Sequence, residues 1–310
     1  MLVGPTPPVV TVTLNPALDV SMSIYRLVPD RKLRAELSRR DPGGGGVNVS
    51  RVLRRLGVAS PAFVVAGGSV GAELVDRLRG AGVDVIDFEI EGNTRESLAI
   101  TESVTGSQYR ISLPGPSVTD LDALRRAVLG ATDGAAIVVV SGSLPPGVTA
   151  DFLVSMVEAL GARTIVDTSG PALAALARHS ATIIKPSQRE LVDLVGWEPT
   201  TTDQIEQAVA EVLSWGAVEA VVASRGPSGA LLMTRHGDPR WFRPPPVRPV
   251  STVGAGDSMV AGISAGLAGG RSLDEAVRLG VAAGTATVLT PGTELCEAAD
   301  VERLIDQVAG

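Results

Sequence analysis

The 310-residue sequence has few cysteine, histidine and aromatic residues. It contains one cysteine, Cys296, and two histidines, His179 and His236, and aromatic side chains make up 3% of the chain. A single cysteine excludes an intrachain disulfide, and we interpret it as a small buried hydrophobic residue. The histidines lie far apart without neighbouring cysteines or a pattern of acidic ligands, so the sequence predicts no zinc site.

Long hydrophobic runs and an excess of positive charge are also missing. The longest strongly apolar runs, such as 135–140, are too short to cross a bilayer, and residues 1–10 lack the basic and apolar segments of a signal peptide. The formal net charge is −7. Because an acidic chain is a poor general ligand for nucleic acid or an anionic membrane, we expect a cytoplasmic protein that binds neither.

Apolar strands alternate with amphipathic helices along most of the chain. With 45% hydrophobic residues and few aromatics, Val, Leu, Ile and Ala must form the core. Strands are predicted at 9–14, 63–66, 137–141, 164–167, 182–184 and 220–224, and helices at 48–56, 70–78, 121–129, 150–160, 188–195 and 203–215. This alternation is typical of a mainly parallel, doubly wound sheet, so we expect a single α/β domain over residues 1–310.

Two stretches interrupt that alternation. Residues 19–40 mix polar and apolar side chains without a helical period. Residues 97–113 alternate around a turn at Thr105-Gly106, which predicts a hairpin with one wet face. We expect residues 19–42 and 95–113 to form a small β-sheet lid. Its apolar face needs a cover, so the pattern favours a homodimer formed through the lid.

A glycine-rich segment, Thr252-Val253-Gly254-Ala255-Gly256-Asp257-Ser258, precedes an apolar helical run. Glycines at 254 and 256 allow a tight turn with bare N–H groups, and a helix that begins there attracts phosphate. Asp257 would repel that phosphate unless it has another task, and accepting a proton from an attacking hydroxyl group is such a task. The alternative interpretation is an ordinary capped helix.

A second glycine-rich segment, Pro42-Gly43-Gly44-Gly45-Gly46-Val47-Asn48, opens the first predicted helix. Four glycines let the hydroxyl groups of a substrate approach the main chain, and an asparagine can donate and accept at once. The alternative is a flexible loop. The sequence contains no GxxxxGK[ST] motif, and the glycine run does not extend to GxGxxG, so P-loop and dinucleotide sites are not supported.

With the segment 42–48 early in the chain and the segment 252–258 late, the two motifs resemble those of the ribokinase-like (PfkB) carbohydrate kinase family. The resemblance covers nearly the whole chain and includes the segments 14–19, 141–147, 185–191 and 226–230. It implies a three-layer α/β/α fold with a mainly parallel central sheet and a β-sheet lid. It also implies ATP-dependent phosphorylation of a sugar hydroxyl group. In that reaction Asp257 is the base, and the amide groups of Gly254, Ala255 and Gly256 form the anion hole.

Within the family, the phosphosugar kinases resemble this chain most, in particular the minor type of 6-phosphofructokinase. Kinases of the 1-phosphofructokinase and tagatose-6-phosphate type usually have lysine where this chain has Gly45. The resemblance therefore implies conversion of fructose 6-phosphate to fructose 1,6-bisphosphate, with the other two types as alternatives. The substrate-binding residues that it implies are Asp19, Lys32, Arg34, Gly43, Gly44, Asn48, Arg95 and Ser143.

The resemblance also implies a nucleotide site with bound cations. The nucleotide-binding residues are Lys185, Ser187, Ser224, Gly226, Gly229, Thr252, Gly254, Gly256 and Thr285. Glu190 stands where the family organises Mg²⁺, often through water. The usual family pattern there is Asn-x-x-Glu, but position 187 is serine. A monovalent cation, K⁺, is implied beside the anion hole, held by the backbone carbonyl groups of Ser251, Val253, Thr287 and Gly292.

Two further functions, a phosphosugar sensor and a nucleoside kinase, remain open. A regulator that senses a phosphosugar with little turnover is favoured by Ser187, but the intact Asp257 argues against it. A nucleoside kinase is opposed by Lys32 and Arg34, because a nucleoside has no phosphate group for them to pair with.

Asp167, at the end of a predicted strand, is interpreted as structural and left out of the catalytic set.

Overall fold

The computed structural model describes residues 9–179 and 181–310, which form a large sheet between two layers of helices and a smaller separate sheet. The strands are β1 (Val9–Thr13), β2 (Ala17–Ile24), β3 (Ala35–Gly43), β4 (Ala62–Ala66), β5 (Val85–Glu89), β6 (Arg95–Glu102), β7 (Gln108–Ser112), β8 (Ile137–Ser141), β9 (Arg163–Asp167), β10 (Ala181–Ile184), β11 (Val218–Ser224), β12 (Ala230–Thr234) and β13 (Arg240–Phe242). The helices are α1 (Gly45–Arg55), α2 (Gly68–Gly80), α3 (Leu121–Thr132), α4 (Ala150–Glu158), α5 (Gly170–His179), α6 (Gln188–Val195), α7 (Thr202–Ser214), α8 (Ala255–Ala268), α9 (Leu273–Thr287) and α10 (Ala298–Ile305).

The large sheet has the order β13-β12-β11-β10-β9-β8-β1-β4-β5, and its strands from β11 to β5 are parallel. Strand β8 shows why these strands are continuous apolar runs. Val138 and Val140 pack into the core on one face, and Ile137 and Val139 pack into the core on the other. Since helices cover both faces, every position along β8 is buried, as it is along β1 and β4.

The two helical layers differ in which parts of the chain they use. Helices α3 to α7 cover one face, with side chains such as Leu124, Leu153 and Leu173. Helices α1, α8, α9 and α10 cover the other, with side chains such as Val49 and Val260. The predicted three-layer fold is thus confirmed, and the layer that contains α1 and α8 brings the two glycine-rich segments to one side of the sheet.

Several elements differ from the sequence-based prediction. The helix predicted at 48–56 begins at Gly45, because the last two glycines of the run already form its first turn. Strands β5, β12 and β13 and helix α5 were not predicted. Strands β12 and β13 run antiparallel at the edge of the sheet. Ala230 to Met233 of β12 do form a short buried apolar run, which the sequence-based prediction missed, whereas β13 has three residues and only Phe242 is buried.

The small sheet, here called the lid, has the order β3-β2-β6-β7. Residues 19–40, which show no clear period in the sequence, form the antiparallel hairpin of β2 and β3. The hairpin predicted at 97–113 is present as β6 and β7, and β6 pairs in parallel with β2. Several large apolar side chains of this region are exposed: Tyr25, Leu37, Val104, Tyr109, Ile111 and Leu113.

Among the residues that the structure describes, we find no helix with both the length and the apolar character needed to cross a membrane.

Candidate active site

The candidate site lies at the carboxyl ends of the parallel strands, where open α/β sheets usually bind ligands. Strand β8 ends there at Ser141 and strand β9 at Asp167, and Lys185 follows strand β10. Helices α1 and α8 both begin at this edge. Their N-terminal amide groups therefore point toward the same space as the polar side chains at the strand ends.

Asp257 occupies the first turn of α8, and this helix begins after a glycine with a left-handed backbone conformation. Gly254 is the N-terminal cap residue of the helix with φ of 73°, a conformation that other residues rarely adopt. The carboxylate of Asp257 does not cap the helix. Its Oδ2 accepts a hydrogen bond of 2.8 Å from Nδ2 of Asn48, 209 residues away in the chain. The capped-helix interpretation of this aspartate is therefore wrong.

Burial and neighbouring charge make Asp257 a better base than an exposed aspartate. Burial, together with the nearby Asp167 carboxylate, raises the pKa of Asp257 to about 6, against the lowering effects of Asn48 and Lys185. A group with this pKa is mostly ionised at neutral pH but takes up a proton readily. The carboxylate of Asp257 can thus accept a proton in the folded site.

Asp19 forms a second buried carboxyl group in the same cleft. Its side chain lies against Gly43, where an added Cβ atom would overlap the carboxylate. Burial raises the pKa of Asp19 to about 6, while Ser97, Arg110 and Arg95 favour the ionised form. The Asp19 carboxylate also adds a small increase to the pKa of Asp257, so the two carboxyl groups are close enough to interact electrostatically.

Lys185 and Asp167 form a buried ion pair beside the start of α8. Lys185 Nζ lies 3.1 Å from Asp167 Oδ1, and both side chains are largely removed from solvent. Burial opposes the charge on Lys185, but the carboxylate of Asp167 raises the pKa of this ammonium group above its usual value. A Cβ atom at Gly256 would lie 3.5 Å from Nζ. The lysine thus faces the start of α8, where the sequence predicts the anion hole.

Asp167 is the functional candidate that sequence reasoning missed. Its position at the end of a buried strand is equally typical of a structural residue. Asp167 and Lys185 lie 18 residues apart, and this spacing alone does not indicate a contact. The two residues become neighbours because β9 and β10 pair side by side. A charged residue at the carboxyl end of each of two adjacent parallel strands was the available signal.

The glycine-rich start of α1 packs closely against two buried hydroxyl groups. Within the described residues, Thr13 Oγ1 and Ser141 Oγ are buried without a hydrogen-bond partner. A Cβ atom at Gly45 would overlap Ser141 Oγ, and one at Gly46 would lie 2.5 Å from Thr13 Oγ1. The main chain therefore approaches these hydroxyl groups more closely than any side-chain-bearing residue would allow. The flexible-loop interpretation is wrong here, because the glycines form an ordered helix start.

Other substrate-side candidates divide into two groups. Ser143 Oγ accepts a hydrogen bond of 3.0 Å from Asn15, and Arg95 donates to the backbone carbonyl group of Asn15 and to Ser112. Lys32 and Arg34 are exposed between β2 and β3. They lie at the far tip of this hairpin, about 23 Å of strand away from the Ala17–Gly43 pair beside the cleft. The structure does not bring these two cations to the cleft of their own chain.

A separate, mostly apolar cavity of about 570 Å³ adjoins the start of α8. Six of the predicted nucleotide residues line it: Ser224, Gly226, Gly229, Thr252, Gly256 and Thr285. The other predicted nucleotide residues, Lys185, Ser187 and Gly254, lie outside this cavity lining. Sequence reasoning missed its proline-rich wall, whose lining residues are Pro244, Pro245, Pro246, Val247 and Pro249. A mostly apolar cavity with few polar groups suits a heterocyclic ring.

Ser187 has a structural task that explains why serine is tolerated there. Its side chain accepts a hydrogen bond from the amide of Glu190, and Glu190 Oε2 accepts one of 2.7 Å from the amide of Ser187. This capping box begins α6. One carboxylate oxygen of Glu190 is thereby committed to the cap, and the other remains for a ligand or water.

The predicted monovalent-cation segments lie together, although their carbonyl groups are not equally free. Ser251 Oγ donates to the carbonyl oxygen of Gly292 at 2.7 Å, which links the two segments. The carbonyl oxygen of Thr287 accepts from both the amide and the hydroxyl group of Thr290. A carbonyl oxygen has two lone pairs, so Thr287 offers the weakest contact of the predicted set.

Comparison with known proteins identifies the family. A profile described as pfkB family carbohydrate kinase matches residues 13–300. The chain belongs to this family. It is 45% identical over 312 residues to the ATP-dependent 6-phosphofructokinase isozyme 2 of Mycobacterium tuberculosis (strain ATCC 25618 / H37Rv), covering 98% of this chain and 90% of that protein. It is 41% identical over 300 residues to the protein of the same name from Escherichia coli (strain K12), covering 95% and 96%.

Solved structures of this pfkB-family fold superpose over nearly the whole chain. Escherichia coli phosphofructokinase-2 in complex with potassium has a TM-score of 0.92 and 40% identity, covering 97% of this chain and 99% of that chain. The same enzyme in complex with fructose-6-phosphate has a TM-score of 0.90 and 38% identity, with the same coverage. The predicted ribokinase-like fold and family are thus confirmed.

Proposed function

We propose that the protein transfers the γ-phosphoryl group of ATP to the C1 hydroxyl group of fructose 6-phosphate, giving fructose 1,6-bisphosphate and ADP. Membership of the pfkB family makes it a carbohydrate kinase, and relatives at 45% and 41% identity are named ATP-dependent 6-phosphofructokinase isozyme 2. The observation that carries the proposal is the buried Asp257, held by Asn48 between the glycine-rich starts of α1 and α8.

The side chains of the site supply proton transfer and charge stabilisation. Asp257 takes the proton of the attacking hydroxyl group, and the resulting alkoxide-like oxygen attacks the phosphoryl group. Amide groups at the start of α8, including those of Gly254, Ala255 and Gly256, stabilise the charge that develops on the transferred group. Lys185 adds a fixed positive charge next to Gly256, and Asp167 holds it in place.

The sugar lies over the start of α1 in this proposal. Asp19, Asn48 and Ser143 bind its hydroxyl groups, and the backbone of Gly43 and Gly44 approaches it directly. The overlap between a Cβ atom at Gly45 and Ser141 Oγ supports this substrate over fructose 1-phosphate and tagatose 6-phosphate. A lysine at position 45, usual in kinases of those types, would not fit this backbone.

Cations for the substrate's own phosphate group come from two places. Arg95 lies at the cleft and faces Asp19. Lys32 and Arg34 lie at the far tip of the lid, so they serve a site only if a second copy of the chain places its lid over it. We infer a homodimer through the lid, supported by the exposed Tyr109 and Ile111. A tetrameric inhibited form is described for Escherichia coli phosphofructokinase-2.

The donor set fits a divalent cation that stays bound mainly to nucleotide and water. Among the described residues, no group of three or more His, Cys, Asp or Glu side chains forms a metal cage. Mg²⁺ is usually held by one or two carboxylates together with water and the phosphate groups of the substrate, and it does not need such a cage. Glu190 has one oxygen available for it, directly or through water. Mg²⁺ offsets the negative charge of the nucleotide when it is bound.

A monovalent cation fits the segments beside the anion hole in part. The carbonyl groups of Ser251 and Val253 accept no hydrogen bond from the described main chain, whereas those of Gly292 and Thr287 are already engaged. We infer that K⁺ binds here, as supported by the potassium complex of Escherichia coli phosphofructokinase-2. The cytoplasmic location expected from the sequence remains a prediction.

ADP release from Mg-ATP tests the proposed reaction. Fructose 6-phosphate, fructose 1-phosphate and tagatose 6-phosphate are compared, with Asp257→Asn as the matched variant. We expect fast release with fructose 6-phosphate and a loss of a thousandfold or more in the variant, which corresponds to about 4 kcal/mol of barrier. If ADP is released only with one of the other two sugars, that sugar replaces fructose 6-phosphate as the proposed substrate. Binding of the sugar without ADP release from any of them would favour the phosphosugar sensor.

A further inference from the structure

The side-chain amide of Asn48 lies between the candidate base and a buried arginine. Its Nδ2 donates to Asp257 Oδ2 at 2.8 Å, and its Oδ1 accepts from Arg51 Nη1 at 3.3 Å. Asn48 and Arg51 are one helical turn apart in α1, so the helix itself sets them side by side. The two ends of the amide thus face groups of opposite hydrogen-bonding character.

An arginine has only donors, so it can face only the oxygen of an amide. With Oδ1 turned toward Arg51, the amide must present its NH₂ group to Asp257. We propose that Arg51 is a positioning residue that fixes the orientation of the Asn48 amide, so that Nδ2 and not Oδ1 meets the carboxylate of Asp257. The proposal deepens the proposed kinase function and rests on Asp257 acting as its base.

Arg51 is itself held by other buried groups. Its side chain is 8% exposed, and Nη1 donates to the backbone carbonyl group of Pro42 at 3.0 Å. Nη2 lies 3.9 Å from Asp41 Oδ1. Asp41 in turn accepts a hydrogen bond of 2.7 Å from Thr293 and pairs with Arg39. The guanidinium group therefore cannot swing away to let the amide turn over.

The orientation of the amide decides which protonation state of Asp257 is favoured. A carboxylate that accepts from an N–H group is stabilised in its ionised form, and this hydrogen bond counteracts the burial that raises the pKa of Asp257. A reversed amide would offer its carbonyl oxygen, which repels the carboxylate and accepts from the protonated acid. The other charged groups that face Asp257 are Asp167, Lys185 and Asp19. Arg51 forms its hydrogen bonds and ion pair with Pro42, Asn48 and Asp41, and it interacts with Asp19 only through the longer-range attraction of their charges.

The test is the pH dependence of kcat/KM for the phosphosugar in wild type and Arg51→Met. We expect the acid limb of the variant to move to higher pH by about half a unit or more, because the amide is free to turn over. Arg54→Met is the matched control. It removes one positive charge from the same helix, but Arg54 contacts Gly82 and not Asn48, so its limb should coincide with wild type.

A double-mutant comparison separates orientation from the loss of a charge. With Asn48→Ala as background, adding Arg51→Met should leave the limb where Asn48→Ala alone puts it. An equal shift with and without Asn48 would overturn the proposal in favour of direct charge, and coincident limbs of Arg51→Met and wild type would also overturn it. If Arg51→Met does not fold, Asp41→Asn, which loosens Arg51, is expected to give a smaller shift in the same direction.

A second readout needs no turnover. In protein with ¹³C-labelled aspartate carboxyl groups, the resonance missing from Asp257→Asn is followed against pH in wild type, Arg51→Met and Arg54→Met. The proposal predicts a higher titration midpoint in Arg51→Met alone, and equal midpoints would overturn it. If the wild-type protein phosphorylates none of the three sugars, the proposed function fails, while this titration still decides the role of Arg51.

Discussion

Two carboxyl groups in the cleft, Asp19 and Asp257, share a property that exposed aspartates lack. Burial raises the pKa of each to about 6. Folding therefore maintains two acids that titrate just below neutral pH, where small changes of environment alter their charge. The sequence identified both residues, but their protonation behaviour depends on neighbours that are distant in the chain.

The first prediction at this scale concerns the pH dependence of turnover. A base must be ionised to accept a proton, so kcat/KM should fall as the pH drops through about 6, approaching a tenfold loss per pH unit. Steady-state kinetics from pH 5 to 8 measure this limb, with circular dichroism as a control for unfolding. An acid limb centred near 4, the value of an ordinary aspartate, would contradict the burial of Asp257.

The second prediction is that Asp257→Asn stabilises the protein while it removes activity. Because the pKa of Asp257 is higher in the folded than in the unfolded chain, folding favours the protonated acid. This stabilisation is complete below about pH 4 and is lost as the pH rises through about 6. At pH 8 the variant should have a free energy of unfolding about 1–3 kcal/mol higher than wild type.

Chemical denaturation at pH 8 and pH 5 measures that difference. The gain should be smaller at pH 5, where wild-type Asp257 is mostly protonated in the folded state. A gain that is independent of pH would show that the substitution acts through packing or a hydrogen bond and not through ionisation.

At the scale of the elements, the position of the glycine-rich start of α8 depends on how closely α8 packs against α9. A Cβ atom at Gly262 of α8 would lie 2.6 Å from the Cα atom of Gly280 in α9. One at Gly266 would lie 2.7 Å from the Cα atom of Ala276. Small residues thus let the two backbones come into contact, and any side chain there pushes α8 outward.

We therefore predict that Gly262→Ala destabilises the protein by about 1–3 kcal/mol. The matched control is Gly130→Ala in α3, where nothing lies within 4 Å of the added Cβ atom. There the higher helix propensity of alanine should stabilise by about 0.5–1 kcal/mol. Thermal unfolding of both variants checks the prediction, and the same sign of change for both would contradict it.

A further prediction concerns the capping box that begins α6. Ser187→Ala removes the side-chain acceptor for the amide of Glu190 and should cost about 1 kcal/mol of stability. Ser187→Asn should cost little, because asparagine caps helices as well as serine does. Thermal unfolding compares the two variants. Equal losses in the two variants would contradict the capping role of the serine.

At the scale of the whole molecule, the lid carries exposed apolar side chains that a lone chain leaves in water. Tyr25, Leu37, Tyr109 and Ile111 are 78%, 61%, 42% and 46% exposed. Isolated exposed apolar residues are normal, but several on one small sheet indicate a contact surface. The same sheet holds Lys32 and Arg34 far from the cleft of their own chain.

We predict that Ile111→Glu shifts the protein toward monomer, because a charge on this face opposes burial against a second lid. Ile86→Glu is the matched control, since Ile86 is 38% exposed on β5, an edge strand of the large sheet that is not part of the lid. Sedimentation velocity reports the oligomeric state. The KM for fructose 6-phosphate should rise in Ile111→Glu alone, and an unchanged dimer in that variant would contradict the lid interface.

Much of this protein was determined by contiguous segments of sequence. The alternation of apolar strands and amphipathic helices predicted the α/β sheet, and the glycine runs before Asn48 and Asp257 predicted both helix starts of the site. Such signals are local, because the periodicity of an element and the conformational freedom of glycine depend on neighbouring residues alone. The sequence could therefore indicate the family, and it brought forward Asn48 and Asp257, which the structure joins by a hydrogen bond.

The tertiary structure decided which distant residues meet. Strand order puts Asp167 beside Lys185, and the packing of α1 near α8 puts Arg51, Asn48 and Asp257 in one line. It also forms the proline-rich wall of the apolar cavity beside α8, and it places Lys32 and Arg34 far from the cleft of their own chain. These contacts join residues up to 209 positions apart, and the order of strands in the sheet, which sets them, leaves no local signature in the sequence.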